Sequence, residues 1–132
     1  MGKAFRDLLV WRKSMDLAAA VYRMTETFPK SELYGLTSQM RRASISIPSN
    51  IAEGCARSSR RDFRQFVLIA KGSNFELQTQ ILLAIKLGFA NNDSARKVER
   101  GAHEIAKMLN GLADFLATPP KSSNGRELRT NN

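Results

Sequence analysis

The sequence predicts an all-α fold, an antiparallel up-down-up-down four-helix bundle with a proline-kinked second helix. Three observations carry this. Proline, glycine and small polar clusters divide the 132 residues into four long segments whose apolar positions recur every three or four residues. The connections between segments are short, which makes consecutive helices antiparallel neighbours. The one strand-like stretch, "SISI" at Ser44–Ile47, belongs to a helical stripe: Leu36, Met40, Ala43, Ile47 and Ile51 recur at four, three, four and four, in phase through Pro48.

The first helix is expected over about 7–27, with Trp11, Met15, Ala18 and Tyr22 on one stripe and Leu17, Val21, Met24 and Phe28 beside it. Pro29 closes it. A second is expected over about 32–56, with Ser31 as N-cap and Glu32 near the positive end of the dipole. Within it, Pro48 lacks the amide that would bond to Ser44, and its ring crowds that carbonyl. Ser44, Ser46, Ser49 and Asn50 offer groups that satisfy freed backbone or bend the helix by bonding backward. The third helix, about 59–89, takes Ser58 or Ser59 as its cap and carries Asp62 in its first turn. After "NNDS" a fourth runs over about 93–117, stopped by Thr118, Pro119 and Pro120. Residues 1–117 form one expected domain, and 118–132 have too little apolar content to fold, giving a disordered tail.

Charge narrows the partner classes. The net charge is +9, with +5 of it on residues 30–90 and only +2 on 118–132, so the excess is more than a basic tail. Arginine outnumbers lysine 13 to 8, and a planar guanidinium suits phosphate better than an ammonium does. A polyanionic partner is one reading; the solubility of a basic protein is the other. The opening "MGKAFRDLLVWRK" has charges where a secretory signal needs an apolar run, and no stretch approaches a membrane span. The single cysteine, Cys55, allows no internal disulfide and fits a reducing compartment, so a cytoplasmic location is expected.

No catalytic signature is found. His103 is the only histidine, which leaves no multi-histidine metal site, and no cofactor is expected. Cys55 adjoins arginines that would lower its pKa, yet it has no identified base. Phosphate loops, dinucleotide fingerprints and Ser-His-Asp arrangements are absent from the sequence. A non-enzymatic protein is expected. The better constellation is basic: Arg41 and Arg42, then Arg57, Arg60, Arg61 and Arg64, placed around the corner between the second and third helices. Such a cluster contacts backbone phosphates without reading sequence. The competing reading is a solvated corner paired with Glu53 and Asp62.

The third helix also carries more apolar surface than one bundle requires. Its core seam is Phe63, Phe66, Val67, Ala70, Leu77, Ile81 and Ile85, while Leu68, Phe75, Leu82 and Phe89 form a second stripe spaced by sevens. Ile45 and Ala52 give the second helix a similar strip. Either other copies of the chain cover these groups, making a homo-oligomer, or the fourth helix and tail do.

The blocks "FRDLLVWRKS", "LYGLTSQMRRASISIPSNIAEG" and "FVLIAKGSNFELQTQI" make the chain resemble the four-helix-bundle family encoded within intervening sequences of bacterial 23S ribosomal RNA genes. The likeness spans about residues 5–117, and its departures are Ser14 for a usual alanine and Gln78 for a common glutamate. It implies an antiparallel bundle assembling into a homopentameric ring without enzymatic activity, with a possible association with rRNA. The accessory variability protein of diversity-generating retroelements is similar in architecture, a basic pentameric barrel that binds nucleic acid and a reverse transcriptase. The expectation is therefore a homo-oligomer, pentameric by the resemblance, that binds RNA or other nucleic acid through pooled arginines. The alternative is a protein–protein scaffold or accessory subunit that does not bind nucleic acid.

Overall fold

The computed structural model describes residues 4–119. They form four α-helices and no strand: α1 (Leu9–Thr25), α2 (Leu36–Cys55), α3 (Arg60–Lys86) and α4 (Asn92–Ala117). Single 3₁₀ turns at Phe5–Asp7 and Lys30–Glu32 precede α1 and α2. The expected tail falls mostly on 120–132, outside the described residues.

Each helix buries a seam that steps by three and four. On α3 it is Phe63, Val67, Ala70, Asn74, Leu77, Ile81 and Ala84, an unbroken heptad pattern. On α2 it includes Thr37, Met40, Ser44, Ile47, Ile51 and Gly54, and on α4 Ala95, Val98, Ala102, Ile105, Leu109, Ala113 and Leu116. The helices neighbour one another in the cycle α1, α2, α3, α4, with α1 against α4 closing it. Small residues in the α4 seam permit close approach, and a bundle core results.

The α1 seam keeps the second of the two expected stripes, with Leu17, Val21 and Phe28 buried and Met24 against the core, and not the first. Val10, Ser14, Leu17, Val21 and Thr25 are buried, whereas Met15 and Tyr22 are exposed and Trp11 packs only at the margin. Two hydroxyl residues of the seam, Ser14 and Thr25, escaped the apolar pattern. Ser14 Oγ donates to the Val10 carbonyl at 2.6 Å and Thr25 Oγ1 to the Val21 carbonyl at 2.8 Å. A small side chain that bonds its own preceding turn can be buried without an unsatisfied group.

Helix α2 starts at Leu36, later than expected, and Ser31 does not cap it. The Glu32 carboxylate instead accepts from the Leu36 amide at 3.2 Å, held by the preceding 3₁₀ turn. Pro48 lies buried inside a helix that continues to Cys55. Asn50 Nδ2 donates to the Ser46 carbonyl at 2.8 Å and lies 3.0 Å from Ser46 Oγ, which in turn meets Ser73 Oγ of α3 at 2.8 Å. The polar residues around Pro48 thus tie α2 to α3 at Ser46.

The caps of the other helices follow from local chemistry. Ser59 Oγ accepts from the Asp62 amide at 3.0 Å, opening α3. At its far end the Phe89 amide bonds the Ala84 carbonyl and the Gly88 amide the Ile85 carbonyl, with Gly88 at φ +76, a Schellman closure. Asn91 Oδ1 accepts from the Asp93 and Ser94 amides and opens α4.

Candidate functional site

The corner between α2 and α3 is built on Gly54. A Cβ there would fall 2.7 Å from Phe63 Cδ1 and 2.8 Å from Phe66 Cβ, so only glycine lets the first turns of α3 fold back against α2. That close return brings the arginines of residues 57–64 beside the C-terminal end of α4.

Arg60 and Arg64 are committed there. Arg60 Nη2 donates to the carbonyls of Phe115 and Thr118, the latter at 2.9 Å, and its guanidinium carbon lies 4.5 Å from the centre of the Phe115 ring. Arg64 Nε donates to the Ala113 carbonyl at 3.0 Å. The last turns of α4 carry carbonyls without intrahelical donors and the negative end of the dipole, and α4 has no basic residue of its own in its last turn. Two arginines of α3 bring positive charge and extra donors to that end, where the Phe115 carbonyl also accepts from the Thr118 amide at 3.2 Å. Repulsion between these cations and the positive end of α3 is offset by the same pairing.

The other arginines divide. Arg57 ion-pairs with Glu53 at 3.4 Å and stacks 4.7 Å over Phe66, yet remains exposed. Arg61 is exposed and makes no hydrogen bond or ion pair with a described residue. Arg41 and Arg42 do not join them, contrary to the single cluster expected from the sequence. Continuous helix carries the chain from Arg42 to Cys55, about 20 Å along the axis, before Arg57 is reached. Arg41 turns toward α1, donating from Nε to Thr25 Oγ1 at 2.9 Å and stacking 4.6 Å over Tyr22. Arg42 is exposed on the middle of α2. The corner proper is therefore Arg57, Arg60, Arg61 and Arg64, joined by Phe115, whose ring is 61% exposed. Phe115 belongs to another helix and gave no signal in the sequence near the arginines.

Cys55, at the end of α2, does not have the lowered pKa expected from its arginine neighbours. Burial pushes its thiol above the ordinary value. His103 is exposed beside Glu99, Arg100, Glu104 and Lys107 on α4. Among the described residues no group of three His, Cys, Asp or Glu side chains could hold a metal, and no helix is long and apolar enough to cross a membrane.

The six apolar candidates also sort by position. Ile45, Phe75 and Leu82 are exposed, the last two at 48% and 43%. Leu68 and Phe89 instead pack against the protein's own core, Phe89 with its ring centre 5.9 Å from that of Phe28, and Ala52 is half-buried. Ile69 and Leu83 on α3 and Leu87 at its C-cap, which the heptad reading missed, are exposed as well. They sit off the strict seven-residue stripe but still face outward. Beside Phe75, Gly72 has open space where a side chain would be.

The 23S rRNA-intervening sequence protein family matches residues 6–111, most of the chain. The protein belongs to that family. A solved structure of a protein of unknown function, from the S23 ribosomal protein family of Bacteroides thetaiotaomicron, shares the fold with a TM-score of 0.72. The two are 23% identical over 80% of this chain and 98% of that one. No curated protein matches the chain significantly.

Within the 23S rRNA-intervening sequence family fold, the block "QMRRASISIPSNIAEG" is largely a packing element. Met40, Ala43, Ser44, Ile47, Pro48, Ile51 and Gly54 are all buried. Buried Asn74 adds a polar pin, donating from Nδ2 to the Ala102 carbonyl of α4 at 3.0 Å and accepting from Gln78 Nε2 at 2.6 Å. An ionised glutamate at 78 could not make that donation.

Proposed function

We propose that this protein is a non-catalytic, homo-oligomeric up-down-up-down bundle that binds RNA through its arginine corners. The observation that carries the reading is the composition of one corner. Arg61 is exposed and unpaired among the described residues, Arg57 is exposed on Phe66 with only a surface ion pair to Glu53, and Arg60 and Arg64 are held in fixed positions beside them. Cations already ordered by the fold lose less entropy on meeting phosphate. Phe115, exposed beside Arg60, adds a ring on which an unpaired base can stack.

Antiparallel pairing is supported by the order of cross-helix contacts: along α3, Arg60, Arg64 and Asn74 meet Phe115, Ala113 and Ala102 in turn. Assembly is supported by the apolar outer face of α3, where Phe75 and Leu82 stand in water. A ring, pentameric by the likeness to its relatives, would repeat the corner and multiply weak phosphate contacts. The family name makes rRNA the first RNA to try.

The test is binding of a 23S rRNA fragment by wild type and by the double variant Arg57→Glu, Arg61→Glu. Neither side chain bonds α4, so the fold is kept while binding falls sharply; unchanged affinity would refute the proposal. The same α3 face favours a second reading, a scaffold that docks another protein. Retention of a protein partner at high salt, with no RNA bound at any salt, would establish it.

A further inference from the structure

A groove of ≈ 660 Å³ runs along the seam between α1 and α4, away from the arginine corner and the outer face of α3. That size suits a small organic ligand. Its floor is apolar, made by Leu17, Ala20, Met24, Val98 and Ile105. Gly101 deepens it: a Cβ there would meet only Leu17 Cδ1, at 3.8 Å.

The charges along the groove are sorted. At one end Lys13 and Glu104 pair across the two helices at 3.1 Å, with Asp16 nearby on α1, so that end has no spare positive charge. At the other end the charged lining residues are Arg23 and Lys97, both exposed and neither paired with a described residue. They flank the first turn of α4, where Asn91 and Ser94 line the groove and Asp93 of the same turn does not. An apolar trough with a cationic end matches an apolar chain carrying one anionic head. From Lys97 to Ile105 the trough extends about 12 Å along α4, at 1.5 Å per residue.

We propose that this groove binds a medium-chain carboxylic acid, its alkyl chain over Leu17 and Gly101 and its carboxylate between Arg23 and Lys97. A second copy of this chain, with net charge +9, suits the cationic end less well than an anion does. Bidentate pairing with Arg23 and attraction to Lys97 fix the head, while burial of methylenes supplies affinity.

Sodium decanoate, kept below its micelle-forming concentration, is titrated into the intact protein by calorimetry, with decanol as the uncharged comparison. Saturable binding at one site per chain is expected, and decanol should bind more weakly. Gly101→Leu fills the trough and Arg23→Glu with Lys97→Glu reverses its head site; each should weaken decanoate binding at least about tenfold. The charge-reversal pair lies on exposed positions, so it decides the matter even where Gly101→Leu fails to fold by circular dichroism. No saturable binding, equal affinity for decanol, or an affinity unchanged by the charge reversal would overturn the proposal. So would a drop in assembly mass for the charge-reversal variant without decanoate binding by wild type, which would make the groove a seat for a second copy.

Discussion

The arginine corner and the outer face of α3 lie on one helix, yet they stand in opposite relations to the rest of the chain. At the corner, residues whose charge suggests an external partner are partly consumed inside the fold: Arg60 and Arg64 serve the carbonyl end of α4. On the outer face, residues whose chemistry suggests a core are left about half exposed: Ile69, Phe75, Leu82, Leu83 and Leu87. Residue type alone therefore misassigns both regions. What separates an internal role from an external one is whether the side chain's chemistry is already satisfied. By that criterion Arg61 is the corner's free cation, Arg57 is an exposed one held only by a surface ion pair to Glu53 and the Phe66 ring, and Phe75 and Leu82 are the face's available apolar groups.

The comparison is broken most severely at Gly54, which holds the corner together. Gly54→Val would push a side chain into Phe63 and Phe66 and should destabilise the protein by about 3 kcal/mol, read as a lower urea midpoint. A midpoint equal to wild type would mean the corner is looser than its contacts indicate. Arg60→Ala and Arg64→Ala come next, each costing about 1–2 kcal/mol by stripping donors from the end of α4. Hydrogen exchange should quicken in the last turn of α4 and not in α2. Arg61→Ala should change stability by less than about 0.5 kcal/mol, and a loss equal to that of Arg60→Ala would erase the division within the corner.

On the face the expected signs reverse. Phe75→Asp with Leu82→Asp should leave the unfolding of the dilute protomer within about 0.5 kcal/mol of wild type. Light scattering should show the wild type as a multiple of 14.8 kDa and the variant near that mass. A wild type already at the protomer mass would remove the case for assembly through α3. The smallest effect expected concerns Cys55. With its thiol raised by burial, less thiolate is present at neutral pH, so alkylation should be slower than for a free cysteine. Rapid labelling at neutral pH would argue against that environment.

Much of the fold was legible because three-and-four spacing survives even Pro48, where Met40, Ala43, Ile47 and Ile51 are buried in one unbroken helix. The α1 seam was legible only at Leu17, Val21 and Phe28, since Ser14 and Thr25 are polar by type and buried only because each bonds the turn before it. Asn74 was missed for a related reason: its partners, Gln78 and the Ala102 carbonyl, become visible only once α3 and α4 are side by side. The sequence grouped Arg41 and Arg42 with the corner, but nearness in sequence is lengthened by a rigid helix. Phe115 shows the converse, because distance in sequence vanished when α4 folded back beside Arg60.

The most direct test of the corner as a phosphate-binding surface is the salt dependence of RNA affinity. Binding of a 23S rRNA fragment would be followed by fluorescence anisotropy between low and moderate salt, for wild type and for Arg57→Glu with Arg61→Glu. The wild-type plot of log affinity against log salt should be steep, and the variant's slope shallower by roughly 0.7–0.9 for each phosphate contact removed. Two parallel lines would contradict the account, because the corner's available arginines would then touch no phosphate.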